Sequence, residues 1–343
     1  MPESIIKLSS HSAPEKWQQI LSDLVSDPKE LLKILQLDVP EALCEAEVLK
    51  QFPLKVPRTY LDRIEKGNWN DPLLRQILPL DAEIVQVESS DTLIPDLDPL
   101  QETNFNPLPG LLHKYPGRVL LTVAPHCAIH CRYCFRRHFD YESNTPGRLV
   151  WEQVFEHIRQ DESITEVIFS GGDPLAASDR QLAWMIDRLE TIPHLKRLRI
   201  HTRTPIVIPQ RITTALLDCL TLSRLQPVVV LHCNHGQELA RDVIEGINTL
   251  AAEGITLLNQ SVLLKGVNDN SAILCELSEK LFALSVLPYY LHLLDRVPGV
   301  MHFEVPECQA RKLLGQMQAR LPGYLVPRLV REEPGASNKT LVT

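Results

Sequence analysis

From about Arg118 onward, short apolar runs alternate with longer amphipathic stretches, and no other feature limits the possible fold as strongly. Strands are predicted over 119–124, 166–170, 197–201, 228–232, 256–262 and 288–294. Helices are predicted between and after them, over 151–160, 179–191, 209–222, 238–253, 271–284 and 306–320. Each predicted strand is followed by a helix. Six successive βα units of this kind imply a parallel sheet with its helices outside. Such a sheet curls into a partial (β/α)6 barrel of TIM type, short of an eight-unit closure.

The first ~110 residues read differently. Helices are predicted over 14–25, from Asp27-Pro28 to about 37, over 57–66 and over 72–77. Asp27 is a cap with proline at the first helical position. A proline-rich connector containing Pro95, Pro99, Pro107 and Pro109 follows. No apolar run approaches the ~20 residues a membrane span needs. No basic segment followed by a long apolar stretch opens the chain, so a cytoplasmic protein is expected. The net charge of −8 argues against general nucleic-acid binding. Arg132, Arg136, Arg137 and His138 nevertheless form a local cationic cluster, suited to a small anion.

Cys127, Cys131 and Cys134 have a C-x3-C-x2-C spacing immediately after the first predicted strand of the barrel. Three thiolates on one loop can hold three irons of a [4Fe–4S] cluster and leave the fourth iron open. A zinc site is the alternative, with His126 or His130 as a further ligand. The other cysteines (Cys44, Cys219, Cys233, Cys275 and Cys308) are scattered and read mostly as small core residues.

The remaining polar motifs fall at strand ends, where parallel α/β folds collect their ligands. Ser170-Gly171-Gly172-Asp173 follows the second barrel strand, and paired glycines allow close backbone approach to a ligand. His232-Cys233-Asn234-His235 ends the fourth strand. Asn259-Gln260-Ser261 lies in the fifth, and Asp295 follows the sixth. Gly266 to Asn270 reads as a turn. Near the end of the chain, Lys339 sits in a small-residue loop, Pro334-Gly335-Ala336-Ser337-Asn338. It is either a solvated residue or a lysine able to form a Schiff base with pyridoxal phosphate (PLP).

The cysteine loop and Gly-Gly-Asp motif together resemble the radical S-adenosylmethionine (SAM) enzymes. Over most of its length the chain resembles the lysine 2,3-aminomutase family. The matching runs are 110–116, the cysteine loop with Arg136-Arg137, 169–175, 232–235, 259–270, 288–303 and 323–339. Within that family it is most similar to the short bacterial branch that acts in β-lysylation of translation elongation factor P. The resemblance implies conversion of L-α-lysine to β-lysine by 1,2-amino migration. It also implies division into a helical N-terminal region with connector (1–110), a radical SAM partial barrel (111–322) and a C-terminal PLP-lysine segment (323–343). Cys127, Cys131 and Cys134 would hold the [4Fe–4S] cluster. Gly171, Gly172, Asp173, His232 and Gln260 would lie against SAM. Lys339 would bind PLP, with Lys114 and Tyr115 beside it. Arg136 would pair with the substrate carboxylate, and Asp295 and Glu332 with its distal ammonium. The implied partners are an electron donor such as flavodoxin or ferredoxin and, by pathway, elongation factor P and its lysyl ligase.

Two departures stand out. The lysine loop is less glycine-rich than in many members, and Glu332 stands where aspartate is common. The chain also lacks the cysteine-containing extension of the longer members, so no zinc-bridged oligomer is expected. Three rivals remain at this level. One is a PLP-dependent 2,3-aminomutase for another amino acid such as arginine. The others are a radical SAM enzyme without PLP and a metal-binding interaction module. Two acids poised for a distal cation disfavour glutamate as substrate.

Overall fold

Residues 119, 121 and 123 point to the opposite side from residues 118, 120 and 122, and this period of two builds both faces of the sheet. The structure is a computed structural model that describes residues 16–39, 46–84 and 95–343. Strands β1 (Leu24–Val25) and β2 (Val56–Pro57) form a small antiparallel pair in the N-terminal region. The main sheet has nine strands in sequence order. They are β3 (Leu111–Tyr115), β4 (Arg118–Ala124), β5 (Glu166–Gly171), β6 (Arg197–Thr202), β7 (Gln226–His232), β8 (Thr256–Val262), β9 (Val286–His292), β10 (Arg328–Arg331) and β11 (Thr340–Leu341). Strands β4 to β10 are parallel, while β3 and β11 pair antiparallel at the two edges. One cavity is lined from β3 to β11, so the sheet curves around it as an open partial barrel.

The outward residues make the main core. Val119, Leu121, Val167, Phe169, Leu198, Ile200, Val229 and Leu231 are buried against Phe155, Ile158, Met185, Leu189, Val243 and Ile247 of the surrounding helices. Each such side chain contributes about 1.5–3 kcal/mol by leaving water. The inward set departs from the apolar norm for parallel strands. Thr122, Ser170, His201, His232, Gln260 and His292 lie at inward positions, and all but Thr122 line the cavity. A sheet that places polar groups in its own interior reserves that interior for ligands.

The six predicted barrel strands all form, 256–262 with unchanged bounds. The ninth strand starts two residues earlier than expected, next to a register irregularity between Asn259 and Gln260. The helix expected over 209–222 is divided. Pro209–Arg211 is a short 3-10 turn, and Thr213 caps a separate helix, Thr214–Thr221, by accepting from the Leu216 amide. The helix expected from 238 begins at Arg241, after a 3-10 turn at Gly236–Glu238. In the N-terminal region Asp27 caps Pro28–Ile34 as expected. The helix expected over 14–25 is described only from Lys16 and ends at Ser22, because Leu24 and Val25 turn to pair with β2. The helices expected over 57–66 and 72–77 are single turns, Arg58–Leu61 and Pro72–Arg75. No helix among the described residues is long and apolar enough to cross a membrane.

The N-terminal region has its own core, including Trp17, Leu31, Leu35, Tyr60, Leu73 and Ile77. That core includes Ala128 and Ile129 from the cysteine loop and Val207 and Ile208 after β6. The region is therefore fastened to the barrel at its cysteine loop. Among the other cysteines, Cys233 is buried as expected, but Cys219 and Cys275 are only partly buried and Cys308 is exposed. Cys44 lies outside the described residues.

Candidate active site

The cysteine loop leaves β4 at Ala124 and is held by groups far away in sequence. The His130 amide donates to Lys55 O (2.9 Å) and the Arg132 amide to Gln76 O (2.9 Å). Arg132, fully buried, donates from Nε to Glu83 Oε1 (2.8 Å) and from Nη1 to Phe52 O (2.8 Å), and its Nη2 also meets Glu83. Arg137 Nη2 donates to the same carboxylate at 2.8 Å. These contacts correct the expectation of a free cationic cluster. Arg132 and Arg137 share the Glu83 carboxylate, which offsets one of their two charges, and removing one partner of such a buried group costs about 3–5 kcal/mol.

Cys127, Cys131 and Cys134 all line the cavity. Burial pushes the Cys127 thiol well up and the Cys134 thiol to about 12, and the neighbouring cysteines add to both shifts. Three thiols on one cavity wall, two of them costly to ionise alone, are a donor set that suits metal cations. His130 is stacked on Phe52 at 4.7 Å, and its Nδ1 lies 2.8 Å from Pro53 O. Among the described residues, no three His, Cys, Asp or Glu side chains converge on a single metal ion. Three thiols on one cavity wall that do not converge on a single ion fit a cluster, in which each thiolate holds its own iron.

The Gly-Gly-Asp turn lies against the same loop. The Gly172 amide donates to Ala124 O at 2.8 Å and the Asp173 amide to His126 O at 3.0 Å. A Cβ on Gly172 would come within 2.5 Å of His126 O, a backbone atom that cannot swing aside. Gly172→Ala is therefore expected to displace the cysteine loop, with a packing cost of about 1–3 kcal/mol. Iron and sulfide per chain after reconstitution should fall well below wild type; full loading would show that the loop tolerates the shift. Asp173 braces rather than reaches. Its carboxylate accepts from the Leu175, Arg203 and Thr204 amides and the Thr202 hydroxyl at 2.6–3.0 Å, which fills its lone pairs.

His232 lines the cavity at the end of β7, with Nε2 2.9 Å from the Tyr133 hydroxyl. Burial, reinforced by Arg203, lowers its pKa to about 3, so the ring is neutral at working pH. Gln260 also lines the cavity. Their sequence neighbours do not. Asn234, Asn259 and Ser261 are buried away from it, and Asn259 and Ser261 bond the Cys233 carbonyl.

At the other end of the cavity, Glu332 follows β10 and Lys339 precedes β11. Glu332 accepts from the Tyr115 hydroxyl at 2.6 Å, pairs with Lys114 at 3.5 Å and forms an ion pair with Lys339. Burial alone would raise the Glu332 pKa, but Lys339, with Tyr115 and Lys114, outweighs it and holds it at about 2. Asp295 shows the opposite balance. Burial and the Glu332 charge raise it to about 7. The Lys339 ammonium lies 5.8 Å from the Tyr290 ring centre, and Arg118 lies 4.5 Å from that of Tyr115.

Arg136 differs from expectation. Its fork is already occupied by Glu102, with Nε–Oε2 at 2.9 Å and Nη2–Oε1 at 2.6 Å. Its Nη1 donates to Ser170 Oγ and Gly171 O at 3.1 and 3.2 Å. The sequence reading missed Glu102, Arg118, His201, Arg203, Tyr290 and His292, all of which line the cavity. Strand alternation carried a signal for His201, which shares the inward face of its strand with Arg199, and for His292, the polar end of a mostly apolar strand.

The cavity encloses about 840 Å³, within the range of built ligand sites. Its wall runs from the three cysteines through Gly171, His232 and Gln260 to Asp295, Glu332 and Lys339. A parallel partial barrel with a three-thiol loop at its first strand end defines a radical SAM protein, and the Radical SAM superfamily model matches residues 121–274. The chain is 49% identical to the L-lysine 2,3-aminomutase of Haemophilus influenzae, over 95% of each chain. It is 47% identical to that of Escherichia coli, over 98% of this chain and 96% of the relative. It is 35% identical to that of Clostridium subterminale, over 95% of this chain but 77% of the relative. The chain belongs to the lysine 2,3-aminomutase family, whose radical SAM domain uses a [4Fe–4S] cluster and SAM.

Proposed function

We propose that this protein is an isomerase that converts L-α-lysine to β-lysine by 1,2-amino migration. One observation carries the reading: a single cavity joins the three-thiol loop to Lys339 and a pair of acids. The cluster and SAM supply the hydrogen-abstracting radical, and PLP supplies the conjugated system that carries the migrating amino group. Cys127, Cys131 and Cys134 hold the cluster. Gly171, Gly172, His232 and Gln260 line the SAM site, and Asp173 fixes its turn. Lys339 anchors PLP, with Lys114 and Tyr115 beside it. Asp295 and Glu332 bind the distal ammonium. For Arg136 to hold the substrate carboxylate, Glu102 must give way, and that exchange is part of the proposal. The barrel walls keep water from the reacting atoms.

The same reading divides labour along the chain: residues 1–110 brace the cysteine loop, 111–322 form the barrel, and 323–343 carry the PLP lysine. It places the protein in the cytoplasm with flavodoxin or ferredoxin as reductant. The chain matches the short relatives over nearly their whole length, which supports the branch whose product modifies elongation factor P. Deleting the gene should then remove the β-lysyl mass from that factor.

The direct test is anaerobic turnover with SAM, PLP, a reductant and L-lysine. β-Lysine, resolved from lysine by chromatography, should form with wild type and vanish without SAM and in Cys131→Ala. Deoxyadenosine without β-lysine would point to another substrate, with arginine the first to try.

A further inference from the structure

Arg203 follows β6 and is 6% exposed, with its guanidinium against the cysteine loop. Nη1 lies 2.7 Å from Cys131 Sγ and 2.7 Å from the Tyr133 hydroxyl. Nη2 donates to Gln76 Oε1 (2.8 Å), Glu238 Oε2 (2.9 Å) and the Tyr60 hydroxyl (3.2 Å). The backbone fixes the residue as well, since its amide donates to Asp173 Oδ2 at 2.7 Å. Glu238 is fully buried, and among the partners of the guanidinium itself it is the one carboxylate.

We propose that Arg203 sets the reduction potential of the cluster held by Cys131, with Glu238 tempering its charge. The inference rests on the cluster reading above. One-electron reduction takes a [4Fe–4S] cluster from the +2 to the +1 state and adds a negative charge beside Cys131. A guanidinium is always protonated, so it presents a permanent positive charge and an N–H donor to that sulfur. Both favour the more negative, reduced state, and hydrogen bonds to cluster sulfurs are a known determinant of potential. Little solvent is present to screen the effect. Glu238 acts in the opposite sense: it opposes reduction by partly cancelling the Arg203 charge. Arg203 is a positioning residue here, because it acts through the thiolate and not on the substrate.

The test is a redox titration with titanium(III) citrate, without SAM, of anaerobically reconstituted protein. The +1 cluster is followed by electron paramagnetic resonance and normalised to iron and sulfide. Arg203→Gln should lower the reduced-to-oxidised ratio at a fixed poise about tenfold, a shift of about 59 mV to more negative potential. Glu238→Gln keeps an acceptor of nearly the same shape, leaves Arg203 uncompensated and should move the midpoint the other way. Loosening of the loop alone would lower cluster content in both variants without opposite shifts. Unchanged midpoints, or shifts of one sign in both, would overturn the proposal. If Arg203→Gln fails to load, Glu238→Gln decides alone: a positive shift supports the inference, and none or a negative one overturns it. Wild-type protein that binds no [4Fe–4S] cluster would instead sink the cluster reading itself.

Discussion

Lys339→Ala is expected to abolish β-lysine formation and, with it, the visible absorbance of bound PLP that borohydride traps. Lys339 is the one amine that shares Glu332 with Lys114 and Tyr115 while also lying beside the Tyr290 ring. Alanine removes the nucleophile that would carry the cofactor. It also removes the main partner that, with Tyr115 and Lys114, outweighs burial at Glu332 and holds that carboxyl at about 2. The folded pKa of Glu332 is depressed, so its stabilising contribution is present above the ordinary carboxylate pKa and is lost as pH falls toward 2. In the variant, burial regains its hold and the carboxyl rises, so this acid-side contribution shrinks. Absorbance and borohydride labelling in wild type, absent from Lys339→Ala, are the expected pair of results. Labelling that persists in the variant would assign PLP to another lysine, with Lys114 the nearest candidate.

Asp295→Asn is expected to cost roughly 30- to 5,000-fold in kcat/KM for lysine at pH 8, from the 2–5 kcal/mol of a lost buried charge pair. The second expectation concerns pH. Burial and the Glu332 charge place Asp295 at about 7, so it is mostly protonated at pH 6 and mostly ionised at pH 8. A bound ammonium favours the ionised form, so lysine should bind more tightly as pH rises through about 7 and should release a proton when it binds below that point. The substrate α-amine also loses its proton as pH rises, so the difference between the wild-type and Asp295→Asn profiles isolates the carboxyl. Identical profiles with unchanged kcat/KM would remove Asp295 from the ammonium site.

What was legible in the sequence follows from what is local. Each of the six barrel strands is a short run followed by its own helix, and β8 kept its predicted bounds. The three cysteines, Gly171-Gly172 and Asp295 could be placed because strand ends converge in any parallel barrel. The strands β3, β10 and β11 were not predicted. β11 has two residues and exists only by pairing with β10. Pro116-Gly117 does carry a turn signal for the β3–β4 hairpin, which the helix–strand alternation further along the chain obscured. The fates of Arg132, Arg136 and Arg137 were beyond local reasoning. Their partners Glu83 and Glu102 lie 34 to 54 residues earlier, and nothing in the motif announces them.

The contact between Glu83 and the two arginines also bears on what counts as the smallest working piece of this protein. A barrel excised at the connector would keep Cys127, Cys131 and Cys134 and lose the acid that pairs with two guanidiniums behind them. It would also lose Lys55 O, Gln76 O and Phe52 O as acceptors for the same loop. The fragment would contain the recognisable motif without the electrostatic foundation that holds it in shape. Chimeras that transplant this barrel therefore need the leading helical segment carried with it, and the two must be exchanged together.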